Sequence, residues 1–247
     1  MNILVDDATV YRRTPRSLAL GLSPKITVLI PTLNETGNLS YVLSRIPPIV
    51  DEILIVDGYS SDNTVAVAKQ LCPRARVIYQ DKRGKGDAIK CGIRQATGDI
   101  IVTLDCDGSM DPQEIPRLVT PLLNGYDSVK GSRFLKDGGT TDMPTYRRLG
   151  NKFFVFLTNL LYGTKYTDIT YGYQAFWKKT FEKTPLRSNG FETEIEMHIE
   201  AIKTRLRVME VPSFEHKRLT GEGKLKSIRD GWRILSMILR KRIIRDL

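Results

Sequence analysis

Between residues 26 and 123, four short apolar runs alternate with four segments of helical pattern, and this alternation leaves few folds open to the chain. The runs at 26–30, 52–56, 76–79 and 100–104 are rich in Ile, Val and Leu, as strands buried on both faces are. Residues 38–46, 62–71 and 87–96 carry helical spacing between them, and 112–123 follows with Pro112 in its first turn, where Pro is tolerated. Pro31 is expected to stop the first strand and Pro47-Pro48 the first helix; Asp62 or Ser61 is placed to cap the second helix and Gly98 to close the third. Repeated units of this kind build a mostly parallel α/β sheet with helices on both faces.

The second half is less regular. Strands are expected at 126–131, 173–177 and 207–214, and helices at 145–162, 191–204 and 225–247. Residues 1–24 show no period and read as an irregular arm, so the expected organisation is an arm, an α/β domain over 25–224, and a basic amphipathic helix over 225–247. That helix sets Leu225, Ile228, Trp232, Leu235, Leu239 and Ile243 at steps of three and four.

Charge points to an anionic partner. The chain of 247 residues has 38 Lys and Arg against 28 Asp and Glu, and residues 216–247 carry seven of its ten net positive charges. A membrane surface, a phosphorylated substrate or nucleic acid would each answer to this. The basic residues lack interleaved aromatics and no nucleic-acid motif appears, so no nucleic-acid partner is expected. Three cysteines without CxxC or Cys/His spacing suggest neither disulfides nor zinc, and a reducing cytosol fits them. The first ten residues lack the apolar core of a signal peptide, and the greasiest stretch, 153–162, is half the length of a spanning helix.

Chemistry concentrates at the carboxyl ends of the runs, where α/β sheets bind ligands. Asp105-Cys106-Asp107 follows the fourth run and offers hard oxygen donors suited to Mg²⁺ or Mn²⁺ on a diphosphate. Pro31-Thr32-Leu33-Asn34-Glu35 ends the first run, and Asp57-Gly58-Tyr59-Ser60 the second. Gly84-Lys85-Gly86 opens a helix, with glycines that admit a ligand closely and a lysine to meet its charge. Further along stand Gly131-Ser132-Arg133, residues 170–176 (TYGYQAF) and residues 218–224 (RLTGEGK).

The order and spacing of these segments resemble the family 2 glycosyltransferases, which share the nucleotide-sugar-binding GT-A fold. The later segments look like the dolichyl-phosphate mannosyltransferase branch and its bacterial relatives. The resemblance runs from about residue 25 to about residue 226. It implies donor-binding roles for Pro31, Asn34, Glu35, Asp57, Asp81, Lys85 and Gly86. It implies metal-binding by Asp105 and Asp107, with Ser109 and His216 as further ligand candidates, and phosphate-handling by Arg133, Arg218 and Lys224, the last two on a loop that Gly221 and Gly223 make mobile. Two departures stand out. The family usually reads Asp-Asp-Gly-Ser where this chain has residues 57–60, and Ser109 takes a position often held by Gln.

Arg147 and Arg148 either extend the basic wall or, on the plainer reading, lie on the helix surface, and Glu192, Glu194, Glu196 and Glu200 read as a solvated acidic face, with one acid of the group bordering the centre. No general base stands out, which suits a phosphate acceptor already ionised at neutral pH. The expectation is therefore an inverting, metal-dependent transferase. It would move a hexose from GDP-mannose or UDP-glucose to a polyprenyl phosphate, with the protein cytoplasmic and peripheral at the inner membrane face. The alternatives are a soluble transferase acting on a sugar or small phosphorylated acceptor and, in another class, a basic nucleic-acid-binding protein.

Overall fold

The computed structural model describes residues 23–221 and 227–243. Most of the arm expected at 1–24 therefore lies outside the described residues, as do the first two and last four residues of the helix expected at 225–247. In chain order the elements are β1 (Ile26–Thr32), α1 (Leu39–Ser44), β2 (Glu52–Asp57), α2 (Thr64–Leu71), β3 (Arg76–Tyr79), α3 (Lys85–Gln95) and β4 (Ile100–Thr103). A 3-10 turn (Pro112–Glu114) leads into α4 (Ile115–Leu123), followed by β5 (Ser128–Ser132), β6 (Gly139–Thr140), α5 (Thr145–Tyr162) and β7 (Gln174–Trp177). The rest comprises α6 (Lys178–Phe181), α7 (Glu192–Lys203), β8 (Val208–Pro212), β9 (Phe214–Glu215) and α8 (Ser227–Ile243).

Seven strands form one sheet in the order β3-β2-β1-β4-β7-β5-β8, and β6 pairs with β9 beside it. Only β7 runs antiparallel to its neighbours in the larger sheet. Strand side chains alternate between the two faces. Val28, Ile30, Ile53, Ile55, Ile100 and Val102 meet α1 and α4 on one side. Leu29, Leu54, Val56 and Ile101 meet α3 and α7 on the other. The uninterrupted apolar runs thus report burial on both faces.

Pro31 does not end its strand. Leu29 points its carbonyl at β4, where Leu104 N–H donates at 3.0 Å, and Pro31 faces the same side two residues later. The β4 ladder stops at Thr103, so the missing N–H of Pro31 leaves no partner unpaired, and β1 continues along β2 to Thr32. The strand expected at 207–214 is broken by Ser213, whose N–H turns back to the Ser132 carbonyl at 3.0 Å. That break sends β9 across to β6 and starts the loop that carries Arg218 over the ends of the strands.

Candidate active site

Asp105 and Asp107 follow β4 with buried Cys106 between them. Each carboxylate meets a cation from a distant segment. Lys85, at the start of α3, places Nζ 2.6 and 2.8 Å from the two Asp105 oxygens and 2.8 Å from Oε1 of Glu194 on α7. Arg218 places Nη2 2.7 Å from Asp107 Oδ2, and the Ser109 N–H donates to Asp107 Oδ1 at 2.9 Å. Burial pushes the Asp105 carboxyl up to about 6 against the opposing pull of Lys85, and Asp107 and Glu194 add like charge. Burial also works against the Lys85 ammonium, but Asp105 and Glu194 outweigh it and hold it well above its ordinary value. Three carboxylates against two cations leave the cluster with an excess of negative charge, and carboxylates are hard oxygen donors of the kind Mg²⁺ and Mn²⁺ prefer. Among the described residues, no group of three His, Cys, Asp or Glu side chains is placed to hold a metal ion. Asp105 and Asp107 are the carboxylates of this cluster that could contribute to such a site.

Two cavities meet at this cluster. One, of about 250 Å³, runs back over Pro31, Glu35, Gly58, Gln80 and Gly84 at the ends of β1, β2 and β3. The other, of about 270 Å³, opens between α5 and α8, past Tyr146, Gly150, Phe154, Gly231 and Ile234. Lys85, Asp105, Asp107, Arg147, Phe191 and Arg218 line both.

Several expected site residues stand elsewhere. Asp57 is fully buried, its oxygens taken by Ser60 N–H (2.8 Å), Ser60 hydroxyl (2.7 Å) and Thr32 hydroxyl (3.0 Å), so it shapes the turn after β2. Asn34 staples the same turn by accepting from Ser61 N–H at 2.8 Å. Asp81 points outward to Arg94 and lines neither cavity, while its neighbour Gln80 lines the first. The helix N-terminus at Gly84-Lys85-Gly86 is closed, because Gly86 N–H donates to the Asn189 carbonyl at 2.8 Å. A Cβ on Gly86 would sit 1.8 Å from Thr193 Oγ1, so this glycine serves the packing of α3 on α7. Gly84 holds φ at +107°, a conformation that favours glycine.

Arg133 is buried, and its guanidinium is fully engaged. It grips Asp168 through Nε (2.7 Å) and Nη2 (2.9 Å), meets Glu215 through Nη1 (3.0 and 3.1 Å), and reaches Thr170 at 3.0 Å. Burial opposes the charge on Asp168, yet Arg133 keeps its carboxyl below the usual range. Arg133 thus fastens the wall of the second cavity and has no N–H left over for a phosphate. His216 is exposed and tilts against Phe214, with ring centroids 4.9 Å apart, while its backbone N–H donates to the Ser109 carbonyl at 2.8 Å. Ser109 is buried beside Asp107 and lines the second cavity. Lys224 lies outside the described residues.

The sequence reading reached three features only in part. The acids of α7 are not a solvated face: Glu194, Glu196 and Glu200 are all buried. Glu194 belongs to the central cluster, and a Cβ on Gly172 would lie 2.1 Å from its Oε1. Lys241 of α8 reaches Glu196 at 3.0 Å and Glu200 at 2.7 Å. Arg147 leaves the helix surface to line both cavities. The third feature is apolar. Tyr146, Leu149, Phe153, Phe156 and Leu160 form an exposed stripe on α5, beside exposed Ile228, Trp232, Leu239 and Ile243 on α8. Steps of three and four along 146–160 carry that stripe in the sequence, but only the fold shows that it faces outward.

The chain is 34% identical over 212 residues to a dolichol-phosphate mannosyltransferase of Pyrococcus furiosus, covering 82% of this chain and 59% of that one, so it spans little more than half of that relative. It is 32% identical to a polyprenol monophosphomannose synthase of Mycolicibacterium smegmatis, covering 89% of this chain and 84% of the other. The fold superposes on glucosyl-3-phosphoglycerate synthase from Mycobacterium tuberculosis, solved with Mn²⁺, UDP and phosphoglyceric acid, with a TM-score of 0.73, 22% identity, and 91% of this chain and 80% of that one covered. The family model described as Glycosyl transferase family 2 matches residues 27–184, and the chain belongs to that family.

Proposed function

We propose that this chain transfers a hexose from a nucleoside-diphosphate sugar to a polyprenyl phosphate at a membrane surface. The observation that carries the reading is the meeting of two cavities at Lys85, Asp105, Asp107, Arg147 and Arg218. A donor in the first cavity and an acceptor in the second would bring the anomeric carbon and the attacking oxygen together there. Asp105 and Asp107 would hold Mg²⁺ or Mn²⁺, which when bound offsets charge on the departing diphosphate. Lys85 and Arg218 face the same charge. The acceptor phosphate oxygen forms the new bond to the anomeric carbon, the bond from that carbon to the diphosphate breaks, and the nucleoside diphosphate leaves. An ionised phosphate needs no base. Glu194, the acid nearest the centre, is held by Lys85 and stands as a positioning group.

The acceptor class follows from the surroundings of the second cavity. It opens between α5 and α8, whose outward faces carry nine large exposed apolar side chains. Monomeric soluble proteins rarely leave so continuous a patch uncovered. Arg148, Lys152, Arg229, Arg233 and Arg240 lie on the same two helices and complement anionic headgroups. No helix among the described residues is long and apolar enough to cross a membrane, so these helices would lie in the interface. Residues 25–224 would form the transferase unit, with α8 as part of its membrane face. The relatives named for lipid-phosphate acceptors support this reading. Incubation with radiolabelled GDP-mannose, UDP-glucose and other nucleotide sugars, with and without polyprenyl phosphate, tests it. Label should enter the organic phase only with the lipid. Label transferred instead to a water-soluble sugar or phosphorylated acid would overturn the lipid acceptor.

A further inference from the structure

Two carboxylates to which the family resemblance gives donor-binding roles, Asp57 and Asp81, are engaged by other side chains in this structure. Asp57 is sealed among Ser60 and Thr32, and Asp81 turns outward to Arg94. Between them in space lies Gln80, 6% exposed, immediately after β3 and lining the first cavity beside Gly58. Its Nε2 donates to the Lys82 carbonyl at 2.5 Å. A carbonyl only accepts, so this bond fixes the orientation of the amide and turns Oε1 toward Gly58. A Cβ built on Gly58 would stand 3.2 Å from that oxygen and 3.3 Å from the Thr32 carbonyl. The missing side chain at position 58 is what leaves room for the amide oxygen.

The sheet sets the distance. Asp105 follows β4, Gly58 follows β2 and Gln80 follows β3, in a sheet ordered β3-β2-β1-β4. At roughly 4.8 Å per strand, Gln80 lies on the order of 10–15 Å from the diphosphate end, at the far end of the cavity. Glu35, which lines this cavity along with Asp105 and Asp107, follows β1, between the two, and accepts from Asn38 Nδ2 at 2.7 Å.

We propose that the Gln80 carboxamide is the base-reading group of this chain, with Gly58 as the gap that admits it. An acceptor oxygen at this point selects a base that presents a ring N–H. Uracil at N3 and guanine at N1 do so, whereas cytosine N3 and adenine N1 are themselves acceptors. The inference rests on the donor reading given above.

Calorimetric titration of the full chain with UDP, GDP, CDP and ADP in the presence of Mn²⁺ tests it. UDP or GDP should bind at least about tenfold tighter than CDP and ADP, the scale of one buried hydrogen bond. Gln80→Met, close in size but without the acceptor, should bring that ratio near one. Gly58→Ala, which crowds Oε1 from the opposite side, should lower the ratio as well, and it keeps the test open should Gln80→Met fold poorly. Equal binding of CDP or ADP by the wild type, or an unchanged ratio in a folded Gln80→Met or Gly58→Ala, would overturn the assignment while leaving the donor reading intact. Failure of the wild type to bind any of the four would overturn the donor reading itself, and this inference with it.

Discussion

Arg218 Nη2 lies 2.7 Å from Asp107 Oδ2, joining the loop after β9 to the carboxyl end of β4. The same loop is tied a second time, by Leu219 N–H donating to the Asp107 carbonyl at 3.1 Å. One aspartate therefore anchors the loop and, in the proposed reaction, also holds the cation. Asp107→Asn should cut turnover by at least about a hundredfold, roughly 2.7 kcal/mol of transition-state stabilisation, with an unchanged melting temperature. Chelation with EDTA should do the same to the wild type. Steady-state rates with and without chelator check both, and full activity of the mutant in EDTA would remove the metal from the mechanism.

Arg133 and Arg218 should separate cleanly. Arg133→Ala leaves Asp168 buried without its bidentate partner, and breaking a buried pair costs about 3–5 kcal/mol, readable as a lower urea midpoint. Arg218→Ala removes a partly exposed side chain on a loop, so stability should stay within about 0.5 kcal/mol while transfer falls at least about tenfold.

Acid should act through Asp168. Its folded carboxyl is held below the ordinary value by Arg133, with burial acting in the opposite direction. Such a group contributes stability that is fully present above its unfolded value and is lost as pH falls through the lower folded one. Urea midpoints of the wild type should therefore drop progressively below about pH 4. Asp168→Asn, less stable throughout, should show a flatter curve across that range.

The apolar face is open to direct test. Leu149, Phe156, Leu160 and Trp232 are each more than 60% exposed, so changing all four to Ser should leave the melting temperature nearly unchanged. Sedimentation with anionic vesicles should show the wild type bound at low salt and released at high salt, and the variant free in both. Equal sedimentation of the two would detach the stripe from the membrane.

Much of the fold was legible because both faces of the sheet are covered. Ile100, Ile101 and Val102 are all fully buried, and a strand in that setting is apolar at every position. The Asp105 and Asp107 pair was legible because β4 ends where its apolar run ends. The fate of charges inside α7 was not. Glu194, Glu196 and Glu200 have the composition of a solvated face, and only the arrival of Lys85 from α3 and Lys241 from α8 makes their burial affordable. Gln80 and Asp81 show the same limit at one-residue scale. They are adjacent polar residues after one strand, and the turn alone decides which enters the cavity.

Lys241 has a practical consequence. It lies near the end of α8 and is buried against α7, while Ile234, Met237 and Ile238 of the same helix are core residues shared with Ile195 and Ile199. The last helix is thus a wall of the building with one painted side, and cropping it would open the interior. A variant with a more polar surface would have to be made by repainting that outer side, residue by residue, with the wall left standing.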